Sequence, residues 1–317
     1  VRKITIRERP GNNLLFETER DARDTCRMTY ILHIGDYAYS SWSLRGWLML
    51  HRFGLDFETR LVDFNAETVA AQMARLAPAR TVPCLEASDG SVMSDTLAMA
   101  EELATRHPDI AFWPSAPRAR AAARSLVAEM HSSFSDLRSD CPMNLRASYS
   151  GFSPSDGVLS DLERICTLWS HAHGMAEGDG PWLFGAYTLT DAFYAPVAAR
   201  IATYDLPVDD AAARYVAAHL ADPAFRRWRA LGLVVGDTLP WYAMDHAPRP
   251  WPGPSARAAH AVEHGPAVNE TCPYSGKPVT HFLEMEGKTY GFCNATCRDK
   301  TVADPDAWPA FTALASG

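Results

Sequence analysis

No stretch of this 317-residue chain approaches the roughly 20 uninterrupted apolar residues that a membrane helix needs, and the start VRKITIRERPGNN has no apolar signal core. The expected setting is the cytoplasm, with no membrane partner. An excess of positive charge is also missing: 30 Lys plus Arg stand against 38 Asp plus Glu, a formal charge of -8. Broad electrostatic binding to nucleic acid is therefore not expected. Nor is there a disulfide framework. The seven cysteines are an odd number, and Cys26, Cys84, Cys141 and Cys166 show no repeated spacing, whereas Cys272, Cys293 and Cys297 crowd into the last 46 residues. What is present is the composition of an ordinary globular protein, 47% hydrophobic and 21% charged, which excludes a mostly disordered chain. At about 100 to 200 residues per domain, the length predicts about two domains.

Residues 1–27 mix charges densely without an apolar period, and the first methionine is Met28. They are expected to form a disordered leader, or to lie upstream of the true start. From Tyr30 the pattern is regular: a strand over 30–34, a helix over 41–53 with apolar spacing at Leu44, Trp47 and Leu48, and a strand over 57–64. A helix over 67–76, a strand near 82–86, a tight turn at Asp89-Gly90 into a strand at 91–93 and a helix over 96–107 follow. The order is βαβαββα. From Arg118 to Leu231 strand signals vanish and helical ones recur, with Leu126, Met130, Phe134 and Leu137 forming one apolar stripe. Prolines 248, 250, 252 and 254 mark an extended linker. The expected divisions are 28–110, an α/β domain; 115–235, an all-helical domain; 236–270, the linker; and 271–317, a small α+β tail.

Three local patterns carry a resemblance. They are Ser40-Ser41-Trp42-Ser43-Leu44-Arg45 after the first strand, Pro78-Ala79-Arg80-Thr81-Val82-Pro83-Cys84-Leu85, and Asp95-Thr96-Leu97-Ala98-Met99. In this order and at this spacing, the stretch from Met28 to Leu231 resembles the cytosolic glutathione S-transferase superfamily, and its serine-type, zeta-like members in particular. The resemblance implies a thioredoxin-like first domain, an all-α second domain, glutathione as co-substrate and a homodimer. It further implies that Ser40 or Ser41 stabilises the glutathione thiolate. Val82, before a cis Pro83, would pair with the cysteinyl backbone; Asp95 and Thr96, at a helix start, would hold the γ-glutamyl group; and Arg45 would assist binding. Ser40 could instead only cap its helix, Arg45 could be structural, and Tyr37 and Tyr39 compete for the thiolate. The absence of a Cys-x-x-Cys near the first helix argues against disulfide exchange, and Cys84 is expected to be buried. Thr188-Leu189-Thr190-Asp191 reads as a capping box, a folding element. His131 is weighed as a substrate contact against a solvent-facing helix residue.

The tail reads Cys272-Pro273-Tyr274-Ser275-Gly276, then Cys293-Asn294-Ala295-Thr296-Cys297. It resembles the YHS/TRASH-like treble-clef modules, in which a knuckle and a helix start converge on a metal. Ser275 stands where a fourth thiolate would be expected, so the ligand set is Cys272, Cys293, Cys297 and His281, with zinc the expected ion. The competing expectation is a degenerate module that has lost its metal and kept a core of Phe282, Phe292 and Trp308. The leading expectation for the whole is a glutathione transferase acting on an electrophilic small molecule or catalysing a glutathione-dependent isomerisation. A non-catalytic glutathione-binding scaffold and a metal-handling protein are the alternatives.

Overall fold

The computed structural model describes residues 5–8 and 30–317. Strand β1 (Thr5–Glu8) falls within the expected unstructured leader; the rest of that leader lies outside the described residues. Then come β2 (Tyr30–Ile34), α1 (Ser41–His51), β3 (Phe57–Leu61), the short α2 (Val69–Gln72), β4 (Cys84–Glu86), β5 (Val92–Met93) and α3 (Thr96–Arg106). The sheet order is β1-β3-β2-β4-β5, with β2 and β3 parallel and the other neighbours antiparallel. This is the predicted βαβαββα plan with an added antiparallel edge strand, Thr5 facing Arg60. The parallel β2–β3 pair requires a crossover, and α1 supplies it. Eight of its eleven residues are buried, so it is a core helix rather than a surface one.

The second domain comprises α4 (Pro117–Ser132), α5 (Ser135–Asp140), α6 (Asp156–His173), α7 (Leu189–Tyr204), α8 (Asp210–Ala221) and α9 (Pro223–Val234), with a two-residue strand β6 (Tyr149–Ser150) between α5 and α6. The stripe Leu126, Met130, Phe134, Leu137 is buried as expected but is not one helix. Phe134 has φ 61°, in the left-handed region, and there the chain turns from α4 into α5. All sixteen residues of α7 are buried. At its start the capping box is present, and Asp191 does more than cap. Its carboxylate accepts from the N–H groups of Leu183 and Thr188, the Thr188 hydroxyl and the Tyr215 hydroxyl at 2.8–3.1 Å.

The proline-rich segment is not merely a linker. It contributes β7 (Ala247–Pro248), paired with β6, and β8 (His260–Val262), which completes a tail sheet of order β10-β9-β8 with β9 (His281–Met285) and β10 (Lys288–Phe292). The tail unit thus begins near residue 260 rather than 271. It ends in α10 (Ala295–Ala303) and α11 (Pro309–Ala315). Arg226 of α9 forms a paired hydrogen bond with Asp304 at 2.8 and 2.6 Å, and Arg227 donates to the Ala307 carbonyl at 2.6 Å. The tail core of Leu283, Tyr290, Phe292, Trp308 and Phe311 is continuous with that of the helical domain. That continuity supplies the buried area a unit of this size lacks alone.

Two outcomes are expected from this core. Replacing Asp191 with Ala strands two buried N–H groups and should cost about 3 kcal/mol or more, read as a fall in the denaturant midpoint without a change of slope. Burial holds His219 near pKa 3, with Arg52 adding to the effect, so its imidazole stays neutral in the fold while the unfolded chain protonates near 6.5. The stability this secures is complete above that value and is lost as pH falls toward 3, by up to about 1.4 kcal/mol per pH unit. A His219→Phe variant should therefore lose less stability than the wild type between pH 6.5 and 4. Equal losses for the two proteins in parallel acid titrations would refute the assignment.

Candidate functional site

The first strand ends in the loop 35–40, which Asp36 shapes by accepting from the N–H groups of Ala38 and Tyr39 at 2.6 and 3.2 Å. That loop delivers two serines to the start of α1, and they have different partners. Ser40 is the helix cap: its oxygen receives the Ser43 N–H, and its hydroxyl donates to Ser43 Oγ at 2.7 Å. Ser41, one residue on, is half-buried, and its Oγ lies 3.5 Å from an Arg200 guanidinium nitrogen. A cation on the hydroxyl's lone pair leaves its proton free to donate elsewhere. Of the two serine candidates, Ser41 has the geometry of a donor. Tyr37 and Tyr39 are buried, with their rings against Trp228 and Tyr242 at centroid distances of 4.5 and 4.7 Å.

Arg45 does not line an open cleft, which corrects the expectation that it contacts the ligand. It is 1% exposed, and its guanidinium donates to the carbonyls of Phe193 and Ser41 at 2.9 and 3.3 Å. Its place is the junction of α1 with α7. Arg200 is also buried, donating to the Cys141 carbonyl at 2.8 Å, and Arg138 lies with its guanidinium 5.0 Å from the Trp42 ring centre. Burial, with Arg138 nearby, lowers Arg200 to about pKa 10, which leaves it charged at neutral pH. The start of α1 therefore lies in a positive field.

The Val82–Pro83 bond is cis, as expected, and Ala77–Pro78 is cis as well. Pro83 sits directly on α1, where a Cβ on Gly46 would come within 3.1 Å of its ring. Glycine at 46 thus lets the proline turn approach the helix that carries the serines. Val82 precedes the first residue of β4, so its peptide groups lie outside the sheet ladder. Asp95 caps α3, accepting from the N–H groups of Leu97 and Ala98, and Thr96 is buried beside it.

His131 is the residue to which sequence reasoning gave too little weight. It approaches Asp95 at 3.3 Å and Thr96 Oγ1 at 3.4 Å, and its ring lies 5.0 Å from that of Trp42. It is no free surface histidine. It ties α4 to the starts of both α1 and α3. In the sequence it is only weighed as a substrate contact against a solvent-facing helix residue. Arg200 left no signal of its own, because its role depends on how α7 crosses α1. Burial pushes Cys84 up to about pKa 11 and Cys141 to about 12, so neither is a ready thiolate.

In the tail, Cys272, Cys293 and Cys297 converge, their sulfurs all within 4.8 Å of one another. His281 is not among them. Its Nδ1 lies 2.9 Å from Thr280 Oγ1, so the expected fourth ligand is corrected. Ser275 comes closer, its hydroxyl donating to Cys293 Sγ at 3.1 Å. Three thiolates at a knuckle and a helix start fit a soft metal ion, while a fourth side-chain ligand is missing from the cluster among the described residues.

Part of the chain is similar to known proteins. A probable maleylacetoacetate isomerase of Caenorhabditis elegans is 35% identical over 92 residues, 28% of this chain and 42% of that protein. The chain thus matches about two-fifths of the length of that curated relative. Among solved structures, a glutathione transferase homolog from Burkholderia with bound glutathione aligns at 24% identity, covering 64% of this chain and 97% of that one, with a TM-score of 0.48. A maleylacetoacetate isomerase from Anaeromyxobacter dehalogenans aligns at 26% identity over 63% of this chain and 94% of that one, with a TM-score of 0.46. No helix among the described residues is long and apolar enough to cross a membrane. Residues 39–106, which hold both serines, the cis-proline turn and the capped start of α3, match the family model of the glutathione S-transferase N-terminal domain.

Proposed function

We propose that the chain binds glutathione between the starts of α1 and α3 and activates its thiol for reaction with an electrophilic small molecule. The observation that carries this reading is the Ser41 corner, a hydroxyl backed by the buried Arg200 guanidinium at a helix N-terminus. There a thiolate would accept the Ser41 proton while Arg200 and the helix dipole stabilise its charge. Val82 would pair with the cysteinyl backbone, and Asp95, Thr96 and the N–H groups of α3 would receive the γ-glutamyl end. His131 would hold Asp95 in place.

Two outcomes are chemically open to such a thiolate. It can form a carbon–sulfur bond and expel a leaving group, which is conjugation. Alternatively, it can add to a conjugated double bond, allow rotation and leave again, which is isomerisation and regenerates glutathione. The similarity to a maleylacetoacetate isomerase over part of the chain supports the second as much as the first. A homodimer and a cytoplasmic setting belong to the same proposal. So does a soft metal, zinc first, on the three tail cysteines, the arrangement that favours an added metal-handling role.

A charge-assisted hydrogen bond of about 1.5–3 kcal/mol corresponds to about one to two pKa units. Ser41→Ala should therefore raise the thiol pKa of bound glutathione by that amount, read from the pH dependence of thiolate absorbance. It should lower kcat/KM about 10- to 100-fold near pH 6.5. Ser40→Ala should leave that pKa in place and cost about 1 kcal/mol of stability through the lost cap. The opposite pattern would give the role to Ser40. Glutathione binding with no turnover of any electrophile would leave a non-catalytic scaffold.

A further inference from the structure

The tail's three sulfurs define most of a coordination sphere, and among the described residues no fourth His, Cys, Asp or Glu joins them. Metal–thiolate bonds of about 2.3 Å require sulfurs roughly 3.7 to 4 Å apart. Cys293 and Cys297 already meet this, with sulfurs 3.9 Å apart, and Cys272 lies within 4.8 Å of both. The knuckle is closed in the manner such a site needs. The N–H groups of Ser275 and Gly276 turn back onto the Cys272 carbonyl at 3.3 and 2.9 Å, and Gly276 takes φ +67°. The fourth knuckle position is Ser275, a neutral hydroxyl that binds soft cations poorly.

Its hydrogen bonding points to another task. Ser275 Oγ donates to Cys293 Sγ at 3.1 Å, and Asn294 Nδ2 donates to the same sulfur at 3.3 Å. Two donors on one sulfur fix its direction, which is how outer groups orient a metal ligand. The cluster is also asymmetric in its access to solvent. Cys272 is 1% exposed, while Cys293 and Cys297 are half-buried and Ser275 is exposed. Beside the knuckle, the Lys300 ammonium lies 4.1 Å from the Tyr274 ring centre and 4.0 Å from that of Trp308. His281 contributes no atom to the cluster.

We propose that the tail holds one soft d10 cation on three protein thiolates, Cys272, Cys293 and Cys297, with the fourth position open on the Ser275 side to a thiol from solution. The site is thus one for exchange of metal or thiol, in contrast to a closed structural centre, where four protein ligands exclude outside ligands. This rests on the metal reading of the tail and is independent of the transferase reading.

The full chain, titrated with zinc alone against a chromophoric chelator, should take up one ion. X-ray absorption of the zinc form should show three sulfurs and one oxygen, changing to four sulfurs on addition of 2-mercaptoethanol, with affinity rising at least tenfold. Ser275→Cys should show four sulfurs without added thiol, bind at least tenfold tighter and no longer respond to 2-mercaptoethanol. His281→Ala should behave as the wild type. Circular dichroism of each metal-free variant checks that it is folded, and in a folded protein these spectra decide the matter. A nitrogen in the wild-type zinc sphere, lost in His281→Ala, would overturn the open position while keeping the metal. Insensitivity of the wild type to thiol would do the same. Absence of stoichiometric zinc uptake would overturn both the metal reading and this inference.

Discussion

The burial of α7 is the constraint on which the rest depends. A helix with every residue buried has no solvent to satisfy its ends, so its N-terminal N–H groups and the loop before it must find partners inside the protein. Asp191 meets that requirement, and the cost is a carboxyl raised by burial to about pKa 6 despite four donors. Because α7 is fixed in this way, α1 can lie across it, with Arg45 on the Phe193 carbonyl and Arg200 beside Ser41. The geometry at Ser41 is set from behind, by a helix of the other domain.

Two fully buried arginines near one helix start, with no carboxylate paired to either among the described residues, are costly to the fold. Arg45 recovers part of that cost through backbone carbonyls, as does Arg200 through those of Cys141 and Pro196. The rest remains as positive potential at the mouth of α1. An anion arriving there meets groups already oriented and desolvated, which makes a fixed field more effective than mobile surface charge. Stability is lowered where the proposed chemistry needs charge, a trade common to binding sites.

The fold was legible from sequence where periodicity and turn chemistry agreed. Tyr30–Ile34, Thr96–Arg106 and the Asp191 capping box could be read because each is a local signal. Other features could not. The left-handed Phe134 splits an apolar stripe that is continuous in sequence, since both helices bury the same face. Strand β8 hides in a proline-rich stretch because three residues pairing with β9 carry no alternation of their own. Within the candidate site, Ser41, Pro83 and Asp95 stood in visible motifs, but that Ser40 caps α1 while Ser41 lies beside Arg200 depends in part on a partner distant in sequence. Arg45, read as a ligand contact from its place in a motif, is conformationally tied to Phe193, a residue 148 positions away.

The tail makes the same point about long-range partners. Its sheet offers a small core that would be marginal alone, yet Arg226 and Arg227 of α9 clamp Asp304 and the Ala307 carbonyl at the two ends of the short helical turn Pro305–Ala307. Arg227 also reaches His51 Nε2, at the end of α1, at 2.9 Å. One arginine thus touches both the tail and the helix whose opposite end carries Ser41. Helix α9 also packs through Trp228 onto Tyr37, in the loop before Ser40. The body can therefore stabilise the cysteine cluster without any fourth protein ligand. A knuckle that relied on its metal for folding would require a closed coordination sphere, whereas one held by α9 can leave a position open.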